Sequence, residues 1–99
     1  MIARIWRGST RASDADQYVE YLRETGIHDY RSTPGNRGAY ILRRRSADTT
    51  EFITLSFWDS MESIVTFARD DSDQAVFYTE DDRFLLERDA TVAHYEVFE

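Results

Sequence analysis

The stretch Glu51–Ala68, EFITLSFWDSMESIVTFA, constrains the fold more than any other. It reads as a buried strand running straight into an amphipathic helix. From Phe52 to Trp58 the side chains are mostly apolar, and Ile, Thr and aromatic residues suit a pleated backbone. Asp59 and Ser60 end the strand. Asp59, with Glu62 three residues on, makes a start resembling a capping box, since both side chains can accept from the free N–H groups of a helix N-terminus. Met61, Ile64, Val65 and Ala68 then follow as one helical stripe. Trp58 closes the strand and Phe67 lies just off the stripe, so both rings are expected to line any pocket.

The rest of the chain supplies partners for this unit. IARIWRGS, from Ile2 to Ser9, reads as a first strand with Ile2, Arg4 and Trp6 on one face and Ala3, Ile5 and Arg7 on the other. Each face carries an arginine among apolar neighbours. A helix is expected from Ser13 to about Thr25, with Ser13 as N-cap, Ala15, Tyr18, Val19 and Leu22 buried, and Gly26 as C-terminal cap. Ile27 to Ser32 is expected to add an irregular turn. TPGNRG is a loop, and GAYILRRR, Gly38 to Arg45, is a second strand joined to the third by SADTT. Asp70, Asp71, Ser72 and Asp73 are expected to break or cap the second helix. A further short helix is expected over Gln74 to Thr79, then an exposed acidic Glu80 to Asp82. Phe84, Leu85 and Leu86 form an apolar connection, and TVAHYEVF, Thr91 to Phe98, is a last strand.

The order is βαββαβ, which predicts a ferredoxin-like α+β fold: an antiparallel four-stranded sheet with helices on one face. The strands read as apolar on both faces, so a second copy is needed to cover the other side, and a homodimer is expected. The 99 residues suit a single domain, 1–99, and 41% hydrophobic content supplies a core. The formal charge of −7 argues against a nucleic-acid partner. No apolar run approaches a membrane span, and no cysteine is present. The opening MIARIWRG is too short and too charged for a signal peptide, which makes the cytoplasm the expected compartment.

The chain resembles the dimeric α/β-barrel superfamily, and within it the antibiotic biosynthesis monooxygenase group. MIARIW, TPGNRGAYILRR, EFITLSFWDSMESIVTFA and HYEVF carry the resemblance across essentially the whole chain. It implies two four-stranded sheets closed face to face, with a pocket in each subunit between sheet and helices. It further implies cofactor-free oxidation of phenolic or quinol substrates, or haem degradation. In the haem branch a Trp, a His and an Asn shape the site. An ungapped overlay puts Phe67, Phe77 and Arg7 there, give or take one position, and none matches. No cofactor is expected.

His94 is the leading proton-transfer candidate, since an unperturbed histidine titrates near ~6.5; a packed strand histidine is the alternative. His28 reads as a surface residue. Trp58, Phe67, Phe77, Tyr78, Tyr40 and Trp6 form an aromatic set that suits a small-molecule pocket as well as it suits core. Arg7 or Arg43 could stabilise a phenolate or enolate, whereas ordinary surface pairing is the simpler role. Two isolated histidines and the scattered aspartates make no metal pattern. The expectation is a cofactor-independent monooxygenase acting on a small aromatic molecule. Its rival is a non-catalytic barrel, a small-molecule-binding or stress-associated protein, which predicts a pocket filled by Phe67 and Phe77.

Overall fold

A computed structural model describes residues 1–68 and 71–99. The expected capping role of Asp70 therefore lies outside the described residues. Strand β1, Ile2–Arg11, leads into a helical run made of a 3-10 turn (Ala12–Asp14), α1 (Ala15–Leu22), a π turn (Arg23–Ile27) and α2 (His28–Ser32). Strands β2, Asn36–Ser46, and β3, Thr49–Trp58, form a hairpin, and α3 spans Met61–Ala68. A short helix, α4 (Asp81–Phe84), precedes β4 (Leu85–Arg88) and β5 (Ala93–Glu96).

The sheet order is β2-β3-β1, and the far edge of β1 is shared by β4 and β5. β5 pairs with Ile2–Ile5 and β4 with Gly8–Thr10, all antiparallel. The expected last strand is thus one edge built from two short pieces. The stretch expected as a mere apolar connection contributes the first, beginning at Leu85. The α+β, ferredoxin-like arrangement is as expected. Among the described residues no helix is long and apolar enough to cross a membrane.

Four local expectations are corrected. Gly26 is no cap: it is buried inside the π turn and the helix continues to Ser32. The run stops where Thr33 turns extended, because the residue before Pro34 disfavours the helical region. Ser13 makes no side-chain cap; it sits inside the 3-10 turn. The start of α3 is held by Ser60 and Ser63, whose backbone N–H groups and hydroxyls bond reciprocally, while the Asp59 carboxylate accepts from Arg37 Nε. The buried face of α3 is centred on Ile64 with Phe67 beside it, and Met61 and Val65 are exposed. Phe67 draws the helix round because its ring packs on Tyr30 at 4.5 Å and Trp58 at 6.0 Å.

The expected helix over Gln74–Thr79 does not form. Backbone groups at its start and just before it are captured elsewhere. Arg4 Nη1 donates to Ser72 O at 2.6 Å and Nη2 to Gln74 O at 3.1 Å. Ala75 N–H donates to Ala90 O, and Val92 N–H to Asp73 O. Residues 71–80, with turns at 72–73 and 79–80, therefore lie as a strap against β1 and the 90–92 loop. Asp81, expected to be exposed, is only 4% exposed.

Register fixes the two faces of the sheet. Ile2↔Trp58, Arg4↔Ser56, Trp6↔Thr54 and Gly8↔Phe52 place these residues together under the helices. Ala39 and Ile41 of β2 join them. The opposite face carries Ile5, Leu55 and Tyr40 in one row, Arg7, Ile53 and Leu42 in the next, and Ala3, Phe57 and Tyr95 beyond.

Candidate functional site

The site lies between the covered sheet face, the helical run and the strap. It is lined by Trp6 of β1, Tyr18 and Leu22 of α1, Gly26, Tyr30 of α2, Thr54 of β3, Phe67 of α3, and Ala75, Val76, Phe77, Tyr78, Asp81 and Val92. Its free volume is about 30 Å³. The six aromatic rings nearly close it. Trp6 lies flat across its own strand because Gly8 has no side chain; a Cβ there would come within 2.5 Å of the indole. The indole N–H donates to Asp89 O at 2.9 Å, and Phe77 meets the ring edge-on at 6.2 Å.

One carboxyl group enters this aromatic shell. Asp81 Oδ1 accepts from Tyr18 Oη at 3.0 Å, and Oδ2 accepts from the Tyr78 N–H at 2.6 Å. Burial pushes the Asp81 carboxyl above the usual carboxylate range, while its two hydrogen bonds and Arg88 pull the other way. Tyr18, buried and bonded to Asp81, is held firmly as a phenol, as is Tyr78, which is partly buried and donates to Asp29 Oδ2 at 2.6 Å. Asp81 is thus a proton acceptor held within a low-polarity pocket.

Beside the pocket, under the strap, sits the 1%-exposed Arg4. Its guanidinium lies 5.7 Å from the Phe67 ring centre and donates to His94 Nε2 at 3.0 Å. Since arginine only donates, His94 accepts there and carries its proton on Nδ1, which faces Asp73 Oδ1 at 3.5 Å. Burial first, and Arg4 second, push the His94 pKa down. Among the described residues Arg4 Nε is buried without a partner.

The sequence-predicted residues divide accordingly. Trp6, Phe67, Phe77 and Tyr78 line the pocket. Trp58 is fully buried behind Phe67, with its indole N–H donating to Ser56 Oγ. His94 is next to Arg4, with its Nε2 lone pair engaged. Arg7 and Tyr40 stand on the uncovered face, and Tyr40 packs on Phe57 at 6.3 Å. Arg43 borders a separate open groove of about 740 Å³ between the helical run and β2, and pairs with Asp16 at 2.7 Å. On the first strand Trp6, one position before Arg7, is the residue that meets the pocket. Sequence reading missed Tyr18 and Tyr30 as lining residues, Arg4 as the strap's anchor, and Asp81. Arg4 gave a signal, a charge on an apolar face. Asp81 gave none that separates it from Asp82.

No sequence-family model matches this chain, and no curated protein matches it by sequence. Solved structures do. A candidate antibiotic biosynthesis monooxygenase from Nitrosomonas europaea superposes with a TM-score of 0.70 at 16% identity, over 100% of both chains. One from Bacillus cereus gives 0.67 at 14% identity, over 99% of this chain and 95% of that one. The haem degrader MhuD from Mycobacterium tuberculosis, with two haems in its active site, gives 0.60 at 17% identity, over 98% and 95%. At these identities the likeness speaks for architecture, and this chain has the ferredoxin-like fold shared by these antibiotic biosynthesis monooxygenases and MhuD.

Proposed function

We propose that the protein is a cofactor-independent monooxygenase oxidising a small aromatic substrate, a phenol, anthrone or quinol, in the pocket under the strap. The observation that carries this reading is the Asp81 carboxyl group set among six aromatic rings. Rings supply stacking surface and exclude water; the carboxylate supplies a base whose pKa is raised toward that of its task. The base is Asp81 rather than His94, because the His94 lone pair that would take a proton is held by Arg4. In the proposed reaction an acidic C–H or O–H proton passes to Asp81. The substrate anion gives one electron to dioxygen, and the two radicals combine as a peroxide. Loss of water then leaves a carbonyl: an anthrone CH2 loses two hydrogens, gains one oxygen atom, and the other oxygen departs as water.

The active form is proposed to be a homodimer, in the cytoplasm, closed through the uncovered sheet face. Tyr40, Leu42 and Tyr95 are exposed there, with Ile5, Ile53, Leu55 and Phe57 half-buried beside them. Haem is a poor fit. Among the described residues the pocket presents no histidine, two of its three tyrosines, Tyr18 and Tyr78, are held protonated, and about 30 Å³ is one water's share of space. That same small volume favours the second reading, a non-catalytic barrel with Phe67 and Phe77 filling the cavity. Oxygen uptake against a panel of anthrones and quinols separates the two. The monooxygenase turns over at least one of them, and Asp81→Asn slows it about 100-fold, as expected for loss of a general base. No uptake with any of them leaves the binding barrel.

A further inference from the structure

We infer that Phe77 occupies the place of an aromatic ligand's ring, and that Arg88 gives that place a preference for an anionic ring. The inference rests on the small-aromatic reading of the pocket and names the charge class it takes.

Phe77 is the wall most readily removed. It meets the Trp6 edge on one side, and on another the Arg88 guanidinium carbon lies 5.0 Å from its ring centre. The ring is 39% exposed, so it stands at the mouth rather than in the core. The strap is fastened at both ends, by Arg4 on the carbonyls of Ser72 and Gln74 and by Asp81 on the Tyr78 N–H. Between these ties, among the described residues, the backbones of Val76 and Phe77 make no hydrogen bond. Swinging Phe77 outward therefore breaks side-chain packing only. The vacated place has an indole beside it, a cation over it and the Asp81 carboxyl group deeper in.

Arg88 is free to change partners. Its present carboxylate, Asp82, lies at 2.7 Å but is 90% exposed, and such surface pairs hold weakly. On its pocket side, with Phe77 in place, Arg88 meets the quadrupole of a neutral ring. A phenolate or aromatic carboxylate in the same place offers a full charge in a water-poor setting, where the attraction is larger. Both Asp81 oxygens accept hydrogen bonds, from Tyr18 Oη and the Tyr78 N–H, which limits repulsion of that anion. A phenolic proton passed to Asp81 leaves the substrate charge facing Arg88. This assigns to Arg88 the part that sequence reading gave to Arg7 or Arg43.

The test titrates 2-naphthoate and its neutral counterpart 2-naphthamide against the wild type and variants by isothermal calorimetry. The wild type should bind the anion about tenfold more tightly than the amide, and Arg88→Met should bring the ratio near one while leaving amide affinity within about twofold. Asp82→Asn, an exposed change that spares the fold, should widen the ratio about threefold by releasing Arg88. Phe77→Ala should tighten both probes with the ratio kept. A ratio unmoved by Arg88→Met and Asp82→Asn, with Phe77→Ala still tightening both probes, overturns the role of Arg88 and leaves the aromatic pocket standing. No binding of either probe to any form, Phe77→Ala included, overturns the inference and the pocket reading together.

Discussion

On β3 the side chains beneath the helices are Thr50, Phe52, Thr54, Ser56 and Trp58, and those on the uncovered face include Ile53, Leu55 and Phe57. The same inversion holds on β1, where Arg4 and Thr10 are buried while Ile5 keeps some exposure. The polar side chains lie inside and an aliphatic row faces outward. The covered face tolerates Ser56 and Arg4 because Ser56 accepts from the Trp58 indole and the two Arg4 Nη groups donate to two carbonyls and a histidine. The uncovered face leaves its apolar groups unsatisfied. Each Ile, Leu or Phe fully buried there would gain about 1.5–3 kcal/mol, which points to a second sheet. This difference between the faces motivates the proposal that one face holds the site and the other meets a second copy.

The sharpest way to break that comparison is a charge in the middle of the uncovered face. Leu55→Arg would place an unpaired guanidinium in the proposed dimer contact, at a cost of about 3–5 kcal/mol. Sedimentation should show a monomer at micromolar concentration with the far-ultraviolet dichroism of the folded chain. A dimer as tight as the wild type would mean that this face is not the interface. On the covered face, Arg4→Ala should strip partners from the Ser72 and Gln74 carbonyls and cost about 3 kcal/mol in urea unfolding. A loss below about 0.5 kcal/mol would show that the strap is held by something else.

Two pH effects of opposite sign come next, both confined to the covered face. Asp81 has a raised folded pKa, so the stability of its neutral form is present below the usual carboxyl range and is lost as pH rises through the folded value. Asp81→Asn can keep both contacts, accepting from the Tyr78 N–H and donating to the Tyr18 oxygen, so it should remove this decline in a series of melting temperatures from acid to neutral pH. His94 has a lowered folded pKa, so its contribution is full above the ordinary histidine value and falls away on acidification through the folded one. The smaller effect is expected here, because His94 is less deeply buried than Asp81. Replacing His94 with Gln should flatten stability between about pH 5 and 7, the range in which an ordinary histidine titrates. An unchanged slope in that range would mean that Arg4 does not depend on a neutral His94.

Much of the architecture was legible because the strands are long and punctuated. The β2–β3 hairpin, the first strand and the strand-to-helix unit at Glu51–Ala68 followed from alternation and turn residues. Local pattern failed where a distant group decides the structure. Gln74–Thr79 reads as a short helix, yet an arginine 68 and 70 residues away takes the Ser72 and Gln74 carbonyls. Gly26 looks like a stop, but the helix runs on until Pro34 dictates the end. The site was half legible for the same reason. Aromatic side chains announce a pocket wherever they gather, so Trp6, Phe67, Phe77 and Tyr78 were found. Which arginine turns inward depends on strand parity and sheet order, and Asp81 acquires its environment only when Tyr18 packs over it.

Sedimentation equilibrium of the unmodified protein at micromolar concentration tests most directly the claim that the two faces do different work. A single species near twice the 11.6 kDa chain mass is the predicted result, and a clean 11.6 kDa monomer would contradict it.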